Sequence, residues 1–302
     1  MTLRSLLIGD CDHYASPYIF GVAQGMARLG HWHSQISIRQ SADLIEQRIR
    51  DVRPHVLWTH MLLWPPGPAR VERLIEVVER AAREGAQVII HDGDYKEPTR
   101  YPRDLSRFCA LALCNHTFDR SAWRIPSLHW PYFAFAQERI SPPSPLWACD
   151  LWFAGRLDRG AVYAERTKLV ESLRARGVAL RAPGDADGNT LYRTAEIAPS
   201  AGAVLGFGRP GVRGWIDTRV FQYPGAGAIL LHDDAAGILE PGVHYLPYHS
   251  SDAASVLEAL RRAQALPEEE QWALRKRAFD FVQEKHSSVA RVRQVLDALG
   301  LR

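Results

Sequence analysis

HVLWTHMLLWPPGPARVERLIEVVERAAREGAQVII, residues 55–90, fixes the class of this chain. The apolar run His55–Thr59 is too short for a helix and reads as a buried strand. Pro68–Glu84 then places Val71, Leu74, Ile75, Val78 and Ala82 on one helical face, and Gly85 stands just past the last turn. A second apolar run follows at Gln87–Ile90. Strand, amphipathic helix, strand is the unit from which parallel sheets are built.

The same alternation extends in both directions. Upstream lie the runs Leu3–Ile8 and Gln35–Ile38, separated by a helix that opens at Ser16-Pro17 and ends before Gly30. Downstream lies Ala110–Cys114. Ser141-Pro142-Pro143-Ser144-Pro145 then interrupts the pattern, because three prolines in five residues continue neither a helix nor a central strand. After it come a strand at Asp150–Ala154, a helix at Val162–Arg176 and a strand at Val178–Arg181. A short helix near Thr190–Glu196, a strand at Ala203–Gly206, a helix near Asp217–Tyr223 and a strand at Ala228–Leu231 follow. Pro267–Lys285 and Ser287–Leu299 close the chain as helices. The expected architecture is α/β, two Rossmann-like domains facing each other across a cleft, with 1–146 and 147–302 joined by a proline hinge. The last helix is placed either with the second domain or back on the first.

Composition agrees with two ordinary globular domains. The 302 residues are 46% hydrophobic and 24% charged, and roughly 150 residues make one domain. No stretch of about 18 apolar residues offers a membrane span, and the short apolar run at the start reads as a strand rather than a signal peptide. Four cysteines, Cys11, Cys109, Cys114 and Cys149, lie at no metal-ligand spacing and read as reduced thiols of a cytoplasmic protein. The net charge is +3, shared evenly between the halves. Charge therefore gives no positive argument for a nucleic-acid partner, although a local patch can hide in a balanced total.

Ligands of open parallel sheets bind outside the carboxyl ends of the strands. In the second half those ends carry Gly155-Arg156, Ala182–Asp185, Gly206–Gly214 and His232–Asp234. The Gly206–Gly214 loop is the most informative. Its four glycines expose backbone amides, Arg209, Arg213 and Arg219 supply charge, and a helix begins directly after it. A diphosphate would use all three features; a solvated surface loop would use none. The spacing is neither GxGxxG nor a phosphate-binding GK[ST] loop, which disfavours dinucleotide oxidoreduction and ATP hydrolysis.

Arg219-Val220-Phe221-Gln222 followed by Gly225-Ala226-Gly227-Ala228-Ile229-Leu230-Leu231 resembles the Arg-x-Phe-Glu and glycine segment of group 1 glycosyltransferases with the GT-B fold, closest to their spore-maturation-type branch. Phe153-Ala154-Gly155-Arg156, Gly206–Gly211, Leu239–Pro247 and Glu284–Ser288 are similar to the same branch in order and spacing, and the likeness covers most of residues 150–300. The resemblance implies a metal-independent, retaining transferase with a nucleoside-diphosphate sugar, a UDP-sugar, as co-substrate and no cofactor. Arg156, Gly208, Arg209, Gly211 and Arg219 would face the donor diphosphate. Pro183 and Gly184 would lie by the base. The family's ribose-gripping glutamate is replaced here by Gln222, which forgoes a charge-assisted hydrogen bond.

The first half is expected to hold the acceptor, through Asp10, Asp12 and Tyr95. Asp92-Gly93-Asp94 admits three readings: a cap of the following turn, a proton-accepting or acceptor-binding pair, or a metal-binding DxD. His13 and His116 also follow strands, where an imidazole can take a proton near neutral pH or serve simply as a hydrogen-bonded structural residue. Aromatic and cationic residues interleave at Tyr95–Arg107 and near Trp123–Phe135, either as core or as a stacking surface. A hydroxylated DNA base, flipped from its stack, is one acceptor such a surface would suit. Competing readings are a sugar-nucleotide epimerase or hydrolase, and a non-catalytic nucleotide-sugar-binding protein.

Overall fold

The computed structural model describes residues 1–11, 17–60, 68–92, 104–114, 123–130, 133–153, 155, 157, 160–182, 193–207, 216, 218–233, 237–249 and 252–301. The chain divides into two units, Met1–Pro131 with Ser288–Arg302, and Tyr132–Ser287.

The first unit is built on a six-stranded parallel sheet, β1 (Arg4–Gly9), β2 (Trp32–Ser37), β3 (Val56–His60), β4 (Gln87–Asp92), β5 (Cys109–Cys114) and β6 (Ser127–His129). Its order is β2-β1-β3-β4-β5-β6. The helices are α1 (Pro17–Arg28), α2 (Ala42–Val52) and α3 (Pro68–Arg83). All five residues of β3 are buried, as expected for a strand covered on both faces. The apolar stripe of α3 packs through Val71, Leu74, Ile75 and Val78 onto a core with Leu6, Ile8, Leu57 and Ile90. The helix α2 starts where the Leu44 N–H donates to Ser41 Oγ at 3.2 Å, and it buries Ile45, Ile49 and Val52.

The second unit carries a five-stranded parallel sheet of β7 (Cys149–Trp152), β8 (Leu180–Arg181), β9 (Ala201–Leu205), β10 (Leu230–His232) and β11 (Leu246–Pro247), ordered β11-β10-β9-β7-β8. Its helices are α4 (Gly160–Ala175), α5 (Thr194–Ser200), the single turn α6 (Arg219–Gln222), α7 (Ala253–Ala265) and α8 (Glu268–His286). Asp252 caps α7 by accepting from the N–H groups of Ala254 and Ser255, at 2.9 and 3.2 Å. Half-buried Arg275 of α8 donates to the carbonyls of Ala198, Ala201, Gly202 and Gly227, clamping that helix to the base of the sheet.

The units divide at 131/132, and the proline-rich segment lies wholly inside the second unit. There the Ser144 N–H donates to Ser200 Oγ and the Trp147 indole N–H to Glu196, so the segment is held to α5 rather than forming the division between units. The last helix, α9 (Ser288–Ala298), belongs to the first unit. It lies so close to α1 that a Cβ on Gly25 would stand 2.6 Å from Val292 Cγ2 and 2.7 Å from the Ser288 carbonyl oxygen.

Candidate functional site

In a sheet of order β8-β7-β9-β10-β11 the chain winds one way from β7 and the other way from β9. The crevice outside the carboxyl ends of those two strands is the topological switch point, where open α/β sheets take their ligands. Two phenylalanines occupy it. Phe153 follows β7 and Phe207 follows β9, their rings edge to face with centroids 5.2 Å apart. Tyr248, just beyond β11, packs its ring edge-on to Phe207 at 6.3 Å and donates its hydroxyl to the Gly206 carbonyl at 2.7 Å.

Cationic side chains lie over this aromatic floor. The Arg219 guanidinium carbon is 5.8 Å from the Phe153 ring centroid, and that of Arg166 is 5.7 Å from the Phe207 centroid. Both distances fall in the range where a cation is drawn to the face of an aromatic ring. Burial pushes the Tyr248 phenol well above its usual range; the Asp233 carboxylate adds to this and the Arg166 charge opposes it. His232, which ends β10, sets its Nδ1 3.2 Å from Asp233 Oδ1.

Gln222 sits one turn after Arg219 on α6, only 2% exposed. Among the described residues neither its amide nitrogen nor its amide oxygen has a hydrogen-bond partner, and the buried Thr218 hydroxyl likewise has none. A fully buried primary amide without partners carries its desolvation penalty uncompensated. A ligand offering hydroxyls or carbonyls at this point would remove that penalty.

The glycine of this region acts differently from the sequence reading. A Cβ on Gly206 would stand 2.4 Å from His232 Cδ2, so Gly206 is required for the approach of β10's histidine. Of the expected donor residues, Arg219 and Gln222 come together on α6. Arg156, Gly208, Arg209, Gly211, Pro183 and Gly184 lie outside the described residues.

In the first unit the corresponding switch point lies between β1 and β3. Asp10 stands there, but both its carboxylate oxygens are engaged by Arg39, whose Nε and Nη2 donate at 2.8 and 3.1 Å. Asp92 ends β4, paired in register with Cys114. Asp12, His13, Asp94, Tyr95 and His116 lie outside the described residues. What sequence reading did not assemble is a buried ring cluster: Tyr18 of α1 stacks on His60 at 4.5 Å and on His91 at 4.2 Å, and the two imidazoles lie 5.0 Å apart. Burial, reinforced by neighbouring His60, lowers the affinity of His91 for a proton well below the ordinary histidine range. Among the described residues no group of three or more His, Cys, Asp or Glu side chains is placed to hold a metal ion, and no helix is long and apolar enough to cross a membrane.

Arg166 and Tyr248 were also absent from the sequence reading. The available signal for Arg166 was a charged residue at a core-facing position of an otherwise apolar helical stripe with Leu169, Val170 and Leu173.

Residues 166–297 match the family model described as glycosyl transferase-like, a span that runs from within α4 through β8, β9, β10 and β11 and nearly to the end of α9. The whole chain is similar to a solved α-glucosyltransferase in complex with UDP and a 13-mer DNA containing a central A:G mismatch, with a TM-score of 0.66 at 9% identity over 99% of both chains. It is also similar to a glycosyltransferase from Rickettsia africae ESF-5, with a TM-score of 0.61 at 11% identity over 98% of this chain and 97% of the other. A DNA-modifying β-glucosyltransferase, solved with and without uridine diphosphoglucose, gives 0.56 at 10% identity over 98% and 99%. At these identities the likeness establishes the fold, the two-domain α/β architecture of GT-B glycosyltransferases. No curated protein matches the sequence.

Proposed function

We propose that the protein is a glycosyltransferase that moves a sugar from a UDP-sugar to an acceptor hydroxyl, binding the donor at the switch point of the second sheet. The observation that carries this reading is the pairing on α6 of Arg219, over Phe153, with Gln222, whose buried amide lacks a partner among the described residues. A guanidinium at this edge suits a diphosphate, and an amide one turn away suits the hydroxyls of a ribose. The glycosyl transferase-like match over 166–297 and the UDP in the description of a structural neighbour support the same assignment.

The chemistry follows from charge. The bond from the sugar's anomeric carbon to the β-phosphate oxygen breaks, its electron pair passing to the phosphate, while the acceptor oxygen bonds to that carbon. Positive groups fixed beside the β-phosphate stabilise the leaving group more as it departs than before, which is what lowers the barrier. Arg219 is assigned this role, with Arg156, Arg209 and the amides of Gly208 and Gly211 beside it and Pro183 and Gly184 toward the base. The reaction is proposed to be metal-independent and retaining, so the acceptor proton passes to the departing phosphate oxygen. In an inverting course it would pass to Asp92, Asp94, His13 or His116. The acceptor is proposed to bind at the carboxyl edge of the first sheet, near Asp10, Asp12 and Tyr95. We also propose a cytoplasmic setting, in which the thiols of the four cysteines stay reduced. The spore-maturation-type branch is proposed on the sequence motifs alone.

A DNA acceptor is the second reading, favoured by the DNA in the descriptions of two structural neighbours. The test is UDP release from a panel of UDP-sugars with small hydroxylated acceptors, glycans and duplexes bearing hydroxylated bases. Acceptor-dependent release is expected, with Arg219→Ala lowering it by orders of magnitude. Equal release without any acceptor would instead identify a hydrolase.

A further inference from the structure

We infer that Arg166 is a further anchor for the donor diphosphate, a role that rests on the donor site proposed above. Arg166 lies in the second turn of α4, the helix that leaves the carboxyl end of β7, so it stands on the ligand-binding edge of the sheet. It is 8% exposed, and its neighbours toward the core, Leu169, Val170 and Leu173, are aliphatic. Burying a guanidinium in such a stripe is costly, and a leucine or methionine there would pack without that cost. A charge kept at this position therefore has an electrostatic purpose.

The geometry says where that purpose lies. Phe153 and Phe207 form one edge-to-face pair at the switch point, and each ring carries a guanidinium at nearly the same distance, Arg219 on the first and Arg166 on the second. A guanidinium drawn to a ring face is restrained in position while its N–H groups stay able to donate. The two guanidiniums thus belong to adjoining rings at the carboxyl ends of β7 and β9, and a diphosphate, with its two linked anionic centres, is the part of a UDP-sugar that would match two such charges. The competing role for Arg166 is structural, a charge that balances Asp233 beside the Tyr248 hydroxyl.

The two roles separate by which part of the donor loses affinity. Titration calorimetry with UDP and with uridine is compared for the wild-type protein, Arg166→Met and Arg219→Ala, with thermal melts to confirm folding. Arg166→Met should weaken UDP by roughly 10- to 100-fold, the scale of one lost charge-assisted contact, and leave uridine within about twofold. Unchanged UDP affinity, or an equal loss for UDP and uridine, overturns the proposal. If Arg166→Met does not fold, Arg166→Lys keeps the charge but not the fork. A loss for UDP alone then supports the anchor, and undiminished UDP binding overturns it. Wild-type protein that binds neither ligand refutes the donor site itself, an outcome distinct from either result for Arg166.

Discussion

Replacing Gln222 by leucine should make the free protein more stable and its complex with UDP weaker. Gln222 ends α6 and is 2% exposed, and its two amide atoms have no partner among the described residues. Leucine has nearly the same volume and no polar atoms, so the exchange removes a desolvation penalty of about 1–3 kcal/mol while disturbing packing by less than about 1.5 kcal/mol. The expected net gain is about 1 kcal/mol, or about 2–4 °C in melting temperature for a unit of this size. UDP at 100 times its Kd stabilises the wild-type protein by about 2.7 kcal/mol. If Gln222 supplies one or two hydrogen bonds to the ribose, the same UDP concentration should stabilise Gln222→Leu by markedly less. The assay is urea unfolding with and without UDP. A variant less stable than wild type, with an undiminished response to UDP, would refute the reasoning, because Gln222 would then be a structural residue.

Acid should weaken the first unit through histidines buried in neutral form. The Trp58 indole N–H donates to Ser5 Oγ, which lies 3.0 Å from His33 Nδ1, and burial lowers the His33 pKa to about 4. The unfolded chain takes up a proton near pH 6.5 and the folded chain does not, so stability falls between about pH 6.5 and 4, by about 3 kcal/mol from His33. Urea midpoints across that range should fall more steeply for wild type than for His33→Gln, and parallel slopes would contradict the assignment. Gly206→Ala should cost about 1–3 kcal/mol by driving a methyl group into the His232 ring, read as a lower urea midpoint; an unchanged midpoint would show that β10 yields freely. Transfer activity should persist in a metal chelator, whereas loss on chelation with rescue by a divalent ion would return Asp92 and Asp94 to a metal-binding role.

The parallel sheets were legible because β1, β3, β4 and β5 are buried on both faces and so appear as unbroken apolar runs. The helix α2 was not, since Ile45, Ile49 and Val52 form a narrow stripe among charged neighbours, with Leu44 exposed beside it. The edge strands β6 and β11, three and two residues long, carry too little pattern to read. In the site, motif spacing led to Arg219 and Gln222 because both sit on one short helix after a glycine-rich loop. It could not lead to Arg166, which reaches the same edge from α4 about fifty residues earlier in the chain, nor to the ring stack of Tyr18, His60 and His91, assembled from α1, β3 and β4. Such groupings depend on strand order, and strand order is set by the packing of the whole sheet.

Hydrogen exchange with and without UDP bears most directly on where the donor binds. Saturating UDP should slow amide exchange at the carboxyl edge of the second sheet, from Gly206 and Phe207 through α6 to His232. Protection appearing only in the first unit, or none at a concentration where binding is measurable by calorimetry, would contradict a donor site built on Arg219 and Gln222.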